Sequence, residues 1–205
     1  MTNPSPEPGG QKDEPARVIA KAILDVIASV PSTTELRNLN PRERGRALAT
    51  QAAMKAAAVS GTLALPPGPL GVLTLVPDLV VVWRIQAQMV ADIGGAYGKT
   101  ASVTQEQMLY CLFRHAAAQV VRDLGVRLGE RFVFRAATIA VIQSVAARLG
   151  LTVSKRLIAK SVARWLPVVG SLGVAAYAFY DTGQVAATAI DLFEEVSVPN
   201  DEQQS

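Results

Sequence analysis

The sequence predicts an all-α, single-domain helical bundle of about six to eight helices, including two Gly/Pro-kinked apolar hairpins. Three observations carry this expectation. Half of the 205 residues are apolar but only 5% are aromatic, and small aliphatic side chains at that density suit closely approaching helices better than a β-sandwich. Helix start and stop signals recur along the chain, whereas no segment alternates at period two for long enough to make a strand. Finally, one pattern occurs twice. GTLALPPGPLGVLTLVPDLVVVWRIQ runs from Gly61 to Gln86, and WLPVVGSLGVAAYAFYDTGQ from Trp165 to Gln184. From a shared Leu-Gly-Val, each copy continues through apolar residues to an isolated aspartate, Asp78 or Asp181, and then to Gln86 or Gln184.

Residues 1–14 are Pro/Gly-rich and lack the apolar stretch of a signal peptide, so a disordered tail is expected. Asp13-Glu14-Pro15 opens the first helix, with Asp13 as N-cap and Pro15 in the first turn. Val18, Ile19, Ala22, Ile23, Val26, Ile27 and Val30 give it one apolar stripe, and Pro31 ends it. Asn40-Pro41-Arg42-Glu43 has the spacing of a capping box, and Gly61 closes the helix it begins. After the first elbow, Asp78 to Tyr97 reads as one helix capped by Gly98. Ser102 to Gln105 starts the next, which stops at Gly125.

A helix over about 127–149 is expected to end at Gly150, and Ser154 to begin a basic helix running to Leu166. The second elbow, Pro167 to Gly173, leads into a last helix over about 174–196. An acidic and polar tail, 197–205, follows, so the helical domain spans residues 15–196.

Neither apolar segment is expected to span a bilayer. Residues 56–77 carry no charge, but Pro66, Pro67, Pro69 and Pro77 cut them into short legs, and 165–180 is only 16 residues long. About 20 continuous residues are needed to cross. A buried hairpin, or one dipped part-way into lipid, fits better.

The net charge of +3 hides a strong asymmetry. Residues 114–164 carry ten basic and two acidic groups, whereas 165–205 carry six acids and no Lys or Arg. Within the basic stretch, Arg127, Arg131 and Arg135 recur every four residues, as do Arg156, Lys160 and Arg164. Each trio would form a stripe on one helical face. The second stripe leads into Trp165, an order suited to a cationic helix on anionic headgroups with an apolar bend below. A solvated face paired with Asp191, Glu194 and Glu195 is the competing reading. Nucleic acid is disfavoured because aromatics do not interleave with these charges.

No catalytic, cofactor or metal constellation emerges. Gly94 to Thr100 resembles a phosphate-binding loop, but Ile93 stands where its first glycine is required, and the segment ends a helix rather than opening one. Cys111 and His115 are four apart and share a helical face, yet their neighbours describe a packed helix. With one cysteine there is no internal disulfide or zinc spacing. Asp78 and Asp181 are the better candidates, since an ionised carboxylate in apolar surroundings requires a partner. Asp78 follows Pro77 and suits a helix N-terminus. Asp181 lies mid-helix and is expected to pair with a basic residue from 114–164 or to face water.

The stretch Gly61 to Gly98, with its Leu-Pro elbow, Pro77-Asp78, Gln86 and Tyr97-Gly98, resembles the EcsC-like family of bacteria. So does Arg164-x-x-Pro167-x-x-Gly170-x-x-Gly173 followed by a small-residue helix, and the likeness covers roughly residues 15–195. Both stretches are also similar to the hydrophobic helical domain attached to some small bacterial GTPases. The resemblance implies an α-helical, membrane-associated bacterial protein. It carries no agreed activity, catalytic residue or cofactor.

The expectation is thus a non-enzymatic, membrane-associated accessory or scaffold protein, cytoplasmic and peripheral to the inner membrane. Its partner would be an anionic membrane surface or an apolar protein, with homo-oligomerisation through the small residues near Ala175 to Ala187. Two alternatives stay open: a hydrolase or lipid-handling enzyme using Asp78 or Asp181, and a soluble protein-interaction module.

Overall fold

A computed structural model describes residues 10–63, 76–99, 103–121, 124–128, 131–134, 138–161 and 167–197. These form six helices and one two-stranded hairpin: α1 (Gly10–Ala28), α2 (Pro41–Leu63), α3 (Val76–Ala96), α4 (Gln105–Val121), β1 (Gly125–Leu128), β2 (Arg131–Phe134), α5 (Ile139–Ser161) and α6 (Pro167–Ser197). The fold is an all-α bundle, as the composition predicts. α2 lies along α6 and α3, α1 lies along α5, and α3 and α4 connect the two groups.

The apolar stripe of α1 is the expected one: Ile19, Ile23 and Ile27 are four apart and fully buried. α2 offers a face of Ala52, Ala53 and Ala56 instead, small enough for its neighbours to come close. Gly45 extends that face. A Cβ there would stand 3.1 Å from Ile190 Cγ1 of α6. Trp83 of α3 and Phe113 of α4 meet edge to face at 5.4 Å between ring centroids. α3 ends at Gly98, whose φ of +77° is left-handed, with Lys99 N–H donating to Gly94 O and Gly98 N–H to Gly95 O, both at 2.8 Å. That Schellman ending is the cap expected in place of a phosphate loop.

The connection between α1 and α2 runs as an extended strap across the end of α3. Thr33 Oγ1 donates to Asp92 Oδ1 at 2.7 Å, Gln88 Nε2 to Ser32 O at 3.0 Å, and Asn38 N–H to Ala96 O at 2.9 Å. Gly95 permits the crossing, since a Cβ there would lie 2.8 Å from Glu35 O. Arg44 of α2 grips Glu35 with both Nε and Nη2. That hydrogen bond, aided by the guanidinium charge, holds the Glu35 carboxyl below its usual value despite partial burial.

Several expectations are corrected. α1 begins at Gly10, so residues 10–14 belong to the helix and Pro15 lies inside it rather than in its first turn. The capping box at Asn40 does not form, because Asn38 Oδ1 takes the Asn40 N–H at 2.9 Å. α4 instead has a reciprocal box: Gln107 N–H donates to Thr104 Oγ1 at 3.3 Å and Thr104 N–H to Gln107 Oε1 at 3.0 Å. No helix starts at 127. Residues 125–128 and 131–134 are antiparallel strands instead, pairing Val126 with Val133 and Arg127 with Phe132. Arg127 and Arg131 therefore stand on strands, not on a helical stripe, and Arg135 lies outside the described residues.

Gly150 does not end a helix. α5 runs straight through it, and the reason is packing: a Cβ at Gly150 would lie 2.3 Å from the Ala16 carbonyl oxygen of α1. The second elbow does not form at Pro167 to Gly173. Residues 167–173 are already helical and α6 is unbroken from Pro167, with the proline at its first position. The first elbow, 64–75, lies outside the described residues.

Candidate functional site

α6 is 31 residues long, about 46 Å at 1.5 Å per residue, and its two halves differ. From Thr182 to Phe193 it is a core helix, with Val185, Ala186, Ala189, Ile190, Leu192 and Phe193 buried. From Leu172 to Tyr180 it is mostly exposed, although its residues are as apolar as those of the other half: Leu172 is 72%, Tyr180 63%, Tyr177 48% and Phe179 46% accessible. Lone exposed apolar residues are ordinary; four within nine residues of one helix form a patch.

Asp181 stands at the border between the halves. His115 of α4 brings Nε2 to 2.7 Å from its Oδ1. Gln86 of α3, fully buried, donates Nε2–H to Asp181 Oδ2 at 2.9 Å and to Thr182 Oγ1 at 3.2 Å. Tyr177, one turn earlier on α6, adds its hydroxyl. One carboxylate thus ties α3, α4 and α6 together. Burial, the largest single influence, would raise the Asp181 carboxyl, but the hydrogen bond and attraction of His115 with the bonds from Gln86 and Tyr177 outweigh it. The carboxyl is held below its ordinary 3.8.

An ionised carboxylate accepts, so His115 Nε2 donates to it, and the ring's other nitrogen is Nδ1. Nδ1 is buried without a partner, as is Gln86 Oε1. A general base must reach the proton it removes, and this nitrogen faces protein. Cys111, one turn before His115, is wholly buried, and burial pushes its thiol far above the usual value against a small opposing effect of Arg114. The pair does share a face, but it offers no thiolate. Among the described residues no group of His, Cys, Asp and Glu could hold a metal ion.

The remaining sequence candidates are dispersed. Asp78 is half-buried in the first turn of α3, where the helix dipole favours an anion. It lies eight residues from Gln86, about 12 Å along the axis, so Asp78 and Asp181 do not form an acid pair. Arg156 is exposed on α5 and close enough to act on the Tyr177 hydroxyl. Lys160 follows one turn later on the same helix, and Arg164 and Trp165 lie outside the described residues.

Sequence reasoning passed over Gln86 and Tyr177 as partners of Asp181, and weighed His115 only against Cys111. The available signal was the match between the chain's one histidine and an aspartate alone in an apolar run. No family model, curated protein or solved structure matches the chain.

Proposed function

We propose that this protein is a non-enzymatic accessory or scaffold that docks on an anionic membrane surface through the N-terminal half of α6. The carrying observation is the exposure of Leu172, Tyr177, Phe179 and Tyr180 on a helix whose other half is core. The neighbouring charge fits such an occupant. Arg156 stands near the Tyr177 hydroxyl with its own side chain in solvent. Tyrosines, aliphatic residues and a cation side by side suit the boundary between headgroups and acyl chains. The mode proposed is surface binding; among the described residues no helix is long and apolar enough to cross a membrane. A cytoplasmic address at the inner membrane and an EcsC-like relationship belong to the same proposal and rest on residue order alone.

The bonding of Asp181 favours this reading over the enzymatic one. His115, Gln86 and Tyr177 all donate to its carboxylate, which suits a fastener better than a nucleophile or base.

Flotation with vesicles of graded anionic lipid content tests the proposal. Binding should rise with anionic content, weaken in high salt as screening shortens the range of Arg156, and fall in a Leu172→Ser/Phe179→Ser variant that keeps its helical spectrum. Equal flotation of that variant would refute it.

A further inference from the structure

α3 and α6 run parallel, so their first turns lie at the same end of the bundle. Gln86 reaches Asp181 and Thr182 at 2.9 and 3.2 Å. Eight residues further along α3, a Cβ at Gly94 would meet Cζ of Phe193 at 3.3 Å. The two contacts advance in the same direction along both helices, which only a parallel pair allows. Val81 stands five residues before Gln86 and Tyr177 five before Thr182, so these two are level. By the same count Arg84 is level with Phe179 and Tyr180.

The outer face of α3 changes along its length as α6 does. Pro77, Val81, Arg84 and Gln88 are all exposed and recur at four, three and four residues, which puts them on one stripe. Beside the exposed half of α6 that stripe is apolar, with Val81 40% accessible. Arg84 marks the change. Beyond it Gln88 donates to Ser32 O and Asp92 Oδ1, so the stripe there fastens the strap. On α6 the exposed residues past Asp181 are likewise no longer large and apolar, being Ala187 and Asp191.

From this shared gradient we infer that the stripe from Pro77 to Arg84 is a second membrane contact, with Val81 at the acyl boundary and Arg84 on headgroup phosphate. The inference rests on the lipid-docking reading of α6 and adds to it a second helix, a charged ligand and an orientation. The bundle meets the bilayer with the starts of α3 and α6 foremost. Charge complementarity names the occupant. Arg84 is exposed and, among the described residues, is in no ion pair. A guanidinium so placed suits phosphate, and its aliphatic stem covers apolar neighbours while its head stays in water. Arg156 of α5 is a second exposed cation on this side. Asp78, half-buried in the first turn of α3, opposes an anionic surface, and the two arginines outweigh it.

Fluorescent labels on Val81→Cys and, separately, Phe179→Cys test this in the full chain, read by quenching from brominated acyl chains in anionic vesicles. Cys111 is buried, so the label goes to the introduced thiol. Both labels should be quenched. Arg84→Gln should weaken vesicle binding about fivefold, as loss of one cation near an anionic surface predicts. Arg42→Gln removes the same charge beside Glu194, which lies 22 residues along α6 from Leu172, about 33 Å; it should change nothing. All four side chains are exposed, so the variants leave the core intact. Quenching at 179 without quenching at 81 would overturn the inference and leave the reading of α6 standing. No quenching at either position would overturn both. Equal losses in Arg84→Gln and Arg42→Gln would reduce the effect to net charge and overturn it. A dimer that shields both labels without vesicles would do the same, by making a second copy the occupant.

Discussion

His115 Nε2 and Asp181 Oδ1 meet at 2.7 Å across 66 residues of sequence, and the contact lies where α6 passes from surface to core. With Gln86 on the other carboxylate oxygen, it joins three helices at one charge. Helices this rich in alanine have little shape to hold their register, and a satisfied buried polar node supplies it.

Asp181→Asn is expected to destabilise the fold by about 1–3 kcal/mol, because it replaces a charged acceptor by an amide whose donors face other donors. Urea unfolding at neutral pH measures this. In a double-mutant cycle with His115→Gln the two losses should be non-additive, with a coupling of about 0.5 kcal/mol or more for residues in direct contact.

The same node sets a pH dependence. Folding holds the Asp181 carboxyl below its ordinary 3.8, so its contribution is complete above that value and disappears as pH falls through the lowered one. Glu35, also held low by Arg44, acts in the same direction. Unfolding midpoints followed from pH 6 to pH 2 should decline on the acid side, and Asp181→Asn should flatten that decline. An unchanged slope would show that Asp181 is not ionised in the folded chain.

Two helical glycines should respond oppositely to a methyl group. At Gly150 a Cβ meets the Ala16 carbonyl oxygen at 2.3 Å, so Gly150→Ala should separate α1 from α5 and cost about 1–3 kcal/mol. At Gly183 nothing lies within 4 Å, and Gly183→Ala should stabilise α6 by about 0.5–1 kcal/mol. Thermal melts of the two variants compare them directly.

That contrast also marks how far the sequence is legible. The Ile19, Ile23, Ile27 stripe and the Gly98 cap are local, and periodicity and turn chemistry reveal both. Gly150 has the same local signature as a cap, and only the approach of α1 decides otherwise. Arg127 and Arg131, four apart, mimic a helical stripe because spacing does not reveal that the two belong to separate, paired strands. The solitary Asp181 advertises the need for a partner, but which donors reach it depends on how α3 and α4 pack against α6, and no residue spacing encodes that. Exposure of residues 172–180 was hidden for the same reason, since their composition matches the buried half of the helix.

The most direct test of the account is hydrogen–deuterium exchange along α6, with and without anionic vesicles. Within α6, slowed exchange is expected at residues 172–180 alone, with 182–193 unchanged because most of those residues are already covered by protein. Unchanged exchange at 172–180, or new protection at 182–193 instead, would contradict the claim that the first half of this helix is the lipid-facing surface.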